Sequence, residues 1–146
     1  MIICGYQGVG KSTYCRNNPD ITVDLDSSNF KKIPGWEENY IKTALGYGDK
    51  QVFISAHKVV LEYLYNNNIP FTLLAPKMNR DAWRARLEFR YFKNPTQANL
   101  KAIMDFVANF DDDMALYREY ERKGVDVKWI TATIVTDIGE ALNGNQ

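Results

Sequence analysis

Residues 5–12 have the composition and spacing of a phosphate-binding loop. Gly5, Gly10, Lys11 and Ser12 fill the fixed positions of the pattern G-x-x-x-x-G-K-[ST]. Glycine lets the backbone turn so that its N–H groups point at an anion. The lysine adds a positive charge, and the serine hydroxyl is a ligand for Mg²⁺. The loop therefore predicts a site for ATP and Mg²⁺, and the residues predicted to line it are Gly5, Gly8, Val9, Gly10, Lys11, Ser12 and Thr13.

Two carboxylates come at the predicted end of the second strand, in Asp24-Leu25-Asp26. Alternate residues of a strand face the same way, so both are expected to serve one pocket. We expect Asp24 to help Ser12 hold Mg²⁺, and Asp26 to orient an acceptor and take its proton. Ser27 extends the same rim with a hydroxyl group. The competing interpretation is a turn with solvated acids.

Three further side chains are candidates for contacting an acceptor. Ser55 and His57 come at the predicted end of the third strand. Lys32 lies near Trp36, where a lysine can hold a monophosphate and an aromatic ring can stack on a base. His57 is the single histidine, which excludes a metal site built from histidines. It is equally well explained as a residue that precedes a helix, and Trp36 as part of the core.

One predicted helix carries an excess of arginine. Arg86 and Arg90 are four residues apart and share a helical face, while Trp83 and Leu87 share another that would pack on the sheet. Neighbouring like charges repel unless an anion neutralises them, so the arginine pair is a candidate clamp on a transferred phosphoryl group. The alternative is a solvated basic face paired with acidic residues of the same helix.

The strand that would carry a Walker B aspartate ends in Ser55 instead. The chain also lacks the Asn-Lys-x-Asp motif that reads guanine. Motor ATPases and GTPases hold Mg²⁺ with the Walker B acid, so both departures disfavour these classes.

Short apolar runs alternate with helical patterns along the first half of the chain, which is typical of a parallel α/β sheet. The predicted strands cover residues 2–4, 21–25, 51–55 and 70–74, and the predicted helices 11–16, 36–45 and 58–65. The site is expected at the carboxyl ends of these strands, where ligands bind open α/β sheets.

Helical patterns dominate the second half. We expect a helix over 80–91 with Asn79 as its N-cap, and a long helix over about 96–122. The residues at core spacing in the long helix are Leu100, Ile103, Met104, Val107 and Phe110. Residues 111–113 are all aspartate and are predicted as a solvated turn that kinks or interrupts this helix. A fifth strand at 127–130 and a short helix capped by Thr136 or Asp137 follow.

The composition is that of one globular domain, with 146 residues, 45% apolar and 25% charged. Eighteen basic residues balance eighteen acidic ones, so no overall field attracts nucleic acid or an anionic membrane. No apolar stretch is long enough to span a membrane and no signal pattern is visible, so we expect a cytoplasmic protein. Cys4 and Cys15 are expected to be free and buried.

Together the loop, the run from Asp24 to Phe30 and the edge from Ile54 to Lys58 resemble small P-loop kinases of the adenylate-kinase-like group. Within that group the chain is similar to compact phage-type nucleotide kinase-like proteins. The resemblance implies a single three-layer α/β/α domain with a five-stranded parallel sheet in the order 2-3-1-4-5. It also implies an acceptor-binding segment at about 27–48 and a short lid at about 84–97, with Arg86 and Arg90 near the lid arginines.

The expected reaction is transfer of a phosphoryl group from ATP to a small acceptor, most simply a nucleotide or a nucleoside. The residues expected to act in catalysis are Lys11, Asp26, Arg86 and Arg90, and those expected to contact the acceptor are Asp26, Ser27, Lys32, Ser55 and His57. A polynucleotide 5′-hydroxyl kinase is one alternative, although the neutral net charge counts against it. A nucleotide-binding module without catalysis is the other.

Overall fold

The computed structural model describes residues 1–131 together with Ile138, Gly139 and Leu142. Its centre is a five-stranded parallel sheet in the order β2-β3-β1-β4-β5, which confirms the predicted α/β fold and strand order. The strands are β1 (Ile2–Gly5), β2 (Thr22–Asp24), β3 (Gln51–Ser55), β4 (Thr72–Pro76) and β5 (Asp126–Ile130). The last helix, predicted to start at Thr136 or Asp137, begins outside the described residues.

Helices connect the strands by crossovers. They are α1 (Lys11–Asn17), α2 (Trp36–Leu45), α3 (Lys58–Asn66), α4 (Arg80–Lys93) and α5 (Gln97–Arg122), with a 3₁₀ turn at Ser27–Asn29. Parallel crossovers are right-handed, so this strand order puts α1 on one face of the sheet and α2 and α3, which pack together, on the other. No helix among the described residues is both long and apolar enough to cross a membrane.

Local sequence explains where most elements begin and end. Helix α2 and strand β3 have their predicted bounds, and the Asn79 side chain caps α4 by accepting a hydrogen bond from the N–H of Ala82 at 2.8 Å. Strand β4 begins at Thr72 instead of the predicted Pro70, because proline has no N–H to donate to a neighbouring strand. Cys4 and Cys15 are free and buried, as predicted.

Helix α5 corrects two predictions. It runs without interruption through the three aspartates at 111–113, so the predicted turn is wrong. Its buried side chains are Phe106, Phe110, Met114, Tyr117 and Tyr120, whereas Met104 is 63% exposed and Val107 43% exposed. Two apolar stripes meet at Phe110, and the stripe with the larger aromatic side chains is buried because it removes more apolar area from water.

The hydroxyl of Tyr40 in α2 joins the carboxyl ends of two strands. It donates to the carbonyl of Leu25 just after β2 at 2.7 Å and accepts from the N–H of Ser55 at the end of β3 at 2.9 Å. The Tyr40 side chain is fully buried, so both hydrogen bonds are shielded from water. Tyr40 therefore fixes the spacing of the two strand ends that carry the predicted acceptor-side residues.

Replacing Tyr40 by Phe leaves these two backbone groups without their partner. We expect the free energy of unfolding in urea to fall by about 1–3 kcal/mol, because buried polar groups lose their hydrogen bond. Tyr63→Phe is the matched control, since the Tyr63 hydroxyl reaches only an exposed carboxylate at 3.5 Å. Equal losses in the two variants would contradict the role assigned to Tyr40.

Asp113 of α5 is half-buried beside Tyr6 and Tyr117. Burial, followed by the neighbouring charges of Asp112 and Asp105, raises the pKa of its carboxyl from 3.8 to about 6. The folded state therefore binds the proton more tightly than the unfolded state, and the stability contributed by Asp113 falls as the pH rises from about 4 through 6.

Asp113→Asn removes this titration. We expect the variant to be more stable than the wild type by about 1 kcal/mol at pH 7.5, after allowance for the screening of a half-exposed carboxylate, and by less at pH 5. Urea unfolding at the two pH values measures the difference. Asp49→Asn, which removes the same charge in the exposed turn between α2 and β3, is the control. A gain that is the same at both pH values would show that Asp113 does not titrate in this range.

Candidate active site

The phosphate-binding loop connects β1 to α1 with the backbone that its glycines predict. Gly8 and Gly10 have φ angles of 87° and 98°, in the left-handed region that favours glycine. The ammonium group of Lys11 lies back over the loop, with Nζ 3.4 Å from the carbonyl oxygen of Gly5. A Cβ atom at Gly5 would lie 3.3 Å from Cδ of Lys11, so the missing side chain leaves space for the lysine. The loop therefore forms a cradle with its positive charge already inside.

The structure brings together the two residues predicted for Mg²⁺. The hydroxyl of Ser12 donates to Oδ2 of Asp24 at 2.9 Å, although the residues belong to α1 and β2. The hydrogen bond places a carboxylate of β2 beside the loop, whereas the neighbouring strand β3 ends in Ser55. A hydroxyl and a carboxylate oxygen are hard donors that suit Mg²⁺, which usually takes one or two protein ligands and completes its shell with phosphates and water. No cluster of three or more His, Cys, Asp or Glu side chains that could hold a metal occurs among the described residues.

Asp26 reaches the site by a different route from the predicted one. Strand β2 ends at Asp24, so the two acids do not share a strand face and that prediction is wrong. Asp26 instead caps the 3₁₀ turn, where its Oδ1 accepts from the N–H of Ser28 at 2.9 Å. Burial lowers the pKa of Lys11, and the negative charges of Asp24 and Asp26 both oppose this shift, so both acids act on the lysine of the loop. The turn fixes one oxygen of Asp26 and leaves the other for a ligand.

Arg86 and Arg90 both reach the phosphate-binding loop. Nη1 of Arg90 lies 3.5 Å from the point where a Cβ atom of residue 8 would be if Gly8 had a side chain. Nη2 of Arg86 lies 3.9 Å from the corresponding Cβ point of Gly10. Arg90 also donates to Oδ1 of Asn99 at 3.0 Å, and burial lowers its pKa, but a guanidinium stays charged at neutral pH. The predicted arginine pair therefore lines the entrance of the loop.

Other charges of α4 have partners on the protein surface. Arg84 pairs with Glu88 at 3.4 Å and Arg80 with Asp111 at 3.3 Å. The pair of Arg84 with Glu88 matches the alternative interpretation, a solvated basic face paired with acidic residues of the same helix. Arg80 pairs instead with an acid of α5, and Arg86 and Arg90 are held against the loop.

Trp83 and Leu87 pack on the loop itself, which the sequence did not predict. Nε1 of Trp83 donates to the carbonyl of Gln7 at 3.1 Å, and Cδ2 of Leu87 lies 2.8 Å from the Cβ position at Gly8. The side chain of Gln7 donates to the carbonyl of Ala102 in α5 at 3.0 Å. Gln7 occupies a variable position of the loop pattern, so no motif identifies it. It ties the loop to both helices.

Gly8→Ala tests the close approach of α4 to the loop. We expect it to lower the free energy of unfolding by about 1–3 kcal/mol more than Gly48→Ala, because Leu87 must move aside as well. Gly48 is a matched control, since its φ is also positive at 66° but nothing lies within 4 Å of its Cβ position. Urea unfolding and the affinity for a non-hydrolysable ATP analogue are measured together. Equal effects of the two substitutions on both quantities would contradict this packing.

The predicted acceptor-side residues form a chain of contacts beyond Asp26. The hydroxyl of Ser55 and Nδ1 of His57 are 2.6 Å apart, and the rings of His57 and Trp36 are perpendicular, with 5.6 Å between their centroids. The ammonium of Lys32 lies 4.5 Å from the Trp36 centroid. Lys32 also donates a hydrogen bond to the backbone carbonyl of Ser27. Ser27 therefore contacts the lysine with its own main chain.

Helix α5 adds two charges to this region that the sequence did not predict. Burial and the positive charges of Lys32, Lys101 and Lys11 lower the pKa of His57, and Asp105 opposes them. His57 is therefore neutral at neutral pH. Lys101 and Asp105 reach the site only through the docking of α5, which apolar spacing along the helix does not reveal. Lys42 of α2 does not belong to this group of charges, because it pairs with Glu38 at 3.3 Å on the helix surface.

Comparison with known proteins adds little to this geometry. No protein-family model matches the chain, and no curated protein matches it either. Among solved structures, shikimate kinase from Bacteroides thetaiotaomicron superposes with a TM-score of 0.49 at 12% sequence identity. The match covers 97% of this chain and 90% of that chain. Function must therefore be argued from the residues of the site.

Proposed function

We propose that the protein transfers the γ-phosphoryl group of ATP to a small acceptor, a nucleotide or a nucleoside, with Mg²⁺ as cofactor. The observation that carries the proposal is the arrival of Arg86 and Arg90 at the same loop that holds Lys11. A module that only binds a triphosphate needs the loop alone. Additional positive groups at its entrance are what a loose, charge-rich phosphoryl-transfer transition state requires.

Each residue of the site then has a separate role. Lys11 and the backbone of the loop bind the β- and γ-phosphates, while Ser12 and Asp24 hold Mg²⁺. When bound, Mg²⁺ neutralises charge on the β- and γ-phosphate oxygens. The two arginines orient the γ-phosphoryl group and stabilise the charge that develops on it as the bond to the β–γ bridging oxygen breaks.

The acceptor approaches from the side of Asp26. Its attacking oxygen forms the new bond to phosphorus, and ADP leaves with the bridging oxygen. Asp26 orients the acceptor and, where the attacking group is a hydroxyl, takes its proton. Ser27, Lys32, Ser55 and His57 border the same side. His57 serves there as a neutral polar group in its contact with Ser55, because burial and then the surrounding lysines lower its pKa.

ADP release from ATP and Mg²⁺ tests the reaction against a panel of acceptors. The panel contains nucleoside monophosphates, nucleosides, sugar acids and an oligonucleotide with a free 5′-hydroxyl. We expect turnover with a nucleotide or a nucleoside, a loss of at least about 10²- to 10³-fold in Lys11→Ala, and unchanged ATP affinity but lost turnover in Asp26→Asn.

Lys58→Ala is the control for loss of a lysine, because Lys58 lies in an exposed pair with Glu62 at 3.9 Å. It is expected to keep full activity. Binding of ATP without transfer to any member of the panel would identify a nucleotide-binding module instead. Preferential labelling of the oligonucleotide would identify a 5′-hydroxyl kinase. Full activity of Lys11→Ala would contradict the mechanism.

A further inference from the structure

A second group of positive charges lies on the acceptor side of the loop, apart from the arginines of α4. Lys32 comes from the segment before α2, and Lys101 comes from the second turn of α5. The hydrogen bond from Gln7 to the carbonyl of Ala102 docks this part of α5 beside the phosphate-binding loop. We call Lys32 and Lys101 the acceptor lysines.

The acceptor lysines are close enough to repel each other. Burial and Lys101 lower the pKa of Lys32, and both lysines disfavour the charged form of His57. Neither lysine forms a salt bridge with a carboxylate among the described residues. The acids that act on the group are Asp26, which faces Lys32, and Asp105, which faces His57. Both ammonium groups are therefore outside any carboxylate ion pair among the described residues.

An apolar pocket adjoins the acceptor lysines. It has a volume of about 270 Å³, and its walls include Phe30, Ile33, Pro34 and Trp36. Lys32 is not part of the pocket wall, but its ammonium contacts two wall residues, because it lies over the Trp36 ring and donates to the carbonyl of Phe30 at 3.0 Å. This volume is near the lower end of the roughly 300–1,000 Å³ typical of ligand pockets. It suits one planar ring of a larger ligand.

We infer that the acceptor is a nucleoside monophosphate whose phosphate is bound by Lys32 and Lys101 and whose base lies in the pocket beside Trp36. The inference rests on the proposed function and narrows its acceptor from a nucleotide or nucleoside to a nucleotide. A phosphate oxygen of the acceptor displaces ADP from the γ-phosphorus, which yields a nucleoside diphosphate. No hydroxyl proton is removed in that reaction, so Asp26 orients the acceptor. Lys101 is then a specificity-determining residue.

Binding is measured separately from turnover by calorimetry on the full chain, with Mg²⁺ and a non-hydrolysable ATP analogue present. Each nucleoside monophosphate is titrated beside its own nucleoside and beside gluconate, which carries an anion without a base. We expect the preferred monophosphate to bind at least about 10-fold more tightly than its nucleoside or gluconate. Lys101→Gln is expected to remove about 10-fold of this affinity and to leave the nucleoside and the ATP analogue unaffected.

Two variants distinguish a lost contact from a lost structure. Lys101→Arg keeps the charge and is expected to retain most of the monophosphate affinity. Lys123→Gln removes an exposed lysine just after α5 and is expected to change nothing. Equal affinities for nucleoside and monophosphate, stronger binding of gluconate, absence of binding, or an unchanged affinity in Lys101→Gln would each overturn the inference. Lys101-dependent binding of a monophosphate without any turnover would instead support the site and contradict the proposed function.

Discussion

The close packing of α4 on the phosphate-binding loop is the constraint on which the rest of the site depends. Gly8 has no side chain, so Leu87 and Trp83 approach the loop backbone, and Trp83 donates a hydrogen bond to Gln7. The same approach brings Arg86 and Arg90 to the loop entrance. Apolar burial thus places charged groups that would otherwise repel each other. Groups fixed in this way need little reorganisation during the reaction, which is the condition for strong electrostatic stabilisation of a transition state.

The site concentrates positive charge in a protein with no net charge. Lys11, Arg90, Lys32 and Lys101 lie around one loop, while acids such as Asp111 and Glu88 pair with arginines on the surface. Overall neutrality weakens long-range attraction to large polyanions, whereas a local excess of cations still attracts small anionic ligands. The charge pattern therefore suits two small phosphorylated ligands better than a long nucleic-acid strand. In the proposed function, the arginines of α4 bind the donor and the acceptor lysines bind the acceptor.

Sequence patterns alone were sufficient to predict part of this site. The loop pattern, the sheet order and the pairing of Ser12 with Asp24 follow from motif spacing, from the resemblance and from the convergence of parallel strands at one edge. The prediction that Asp24 and Asp26 share one face of a strand was wrong, because the chain turns after Asp24 and the two-residue period of a strand no longer applies. Gln7 was missed because it fills a variable position of the loop pattern, and Lys101 because its position is set by how α5 docks. Helical periodicity left two possible faces for that docking, and burial of the larger aromatic side chains decided between them.

Helix α2 limits how the predicted acceptor-binding segment, 27–48, moves. Tyr40 is fully buried and bridges Leu25 and Ser55, so displacement of α2 would break two shielded hydrogen bonds. The residues ahead of α2 are exposed to a greater extent, and Gly35 joins them to the helix with a φ of 84° and nothing within 4 Å of its Cβ position. Residues 27–35 can therefore move over an acceptor more easily than α2 can. Because Lys32 belongs to this stretch and Lys101 to α5, which Gln7 ties to the loop, an anion bound between the two lysines would draw the segment toward α5.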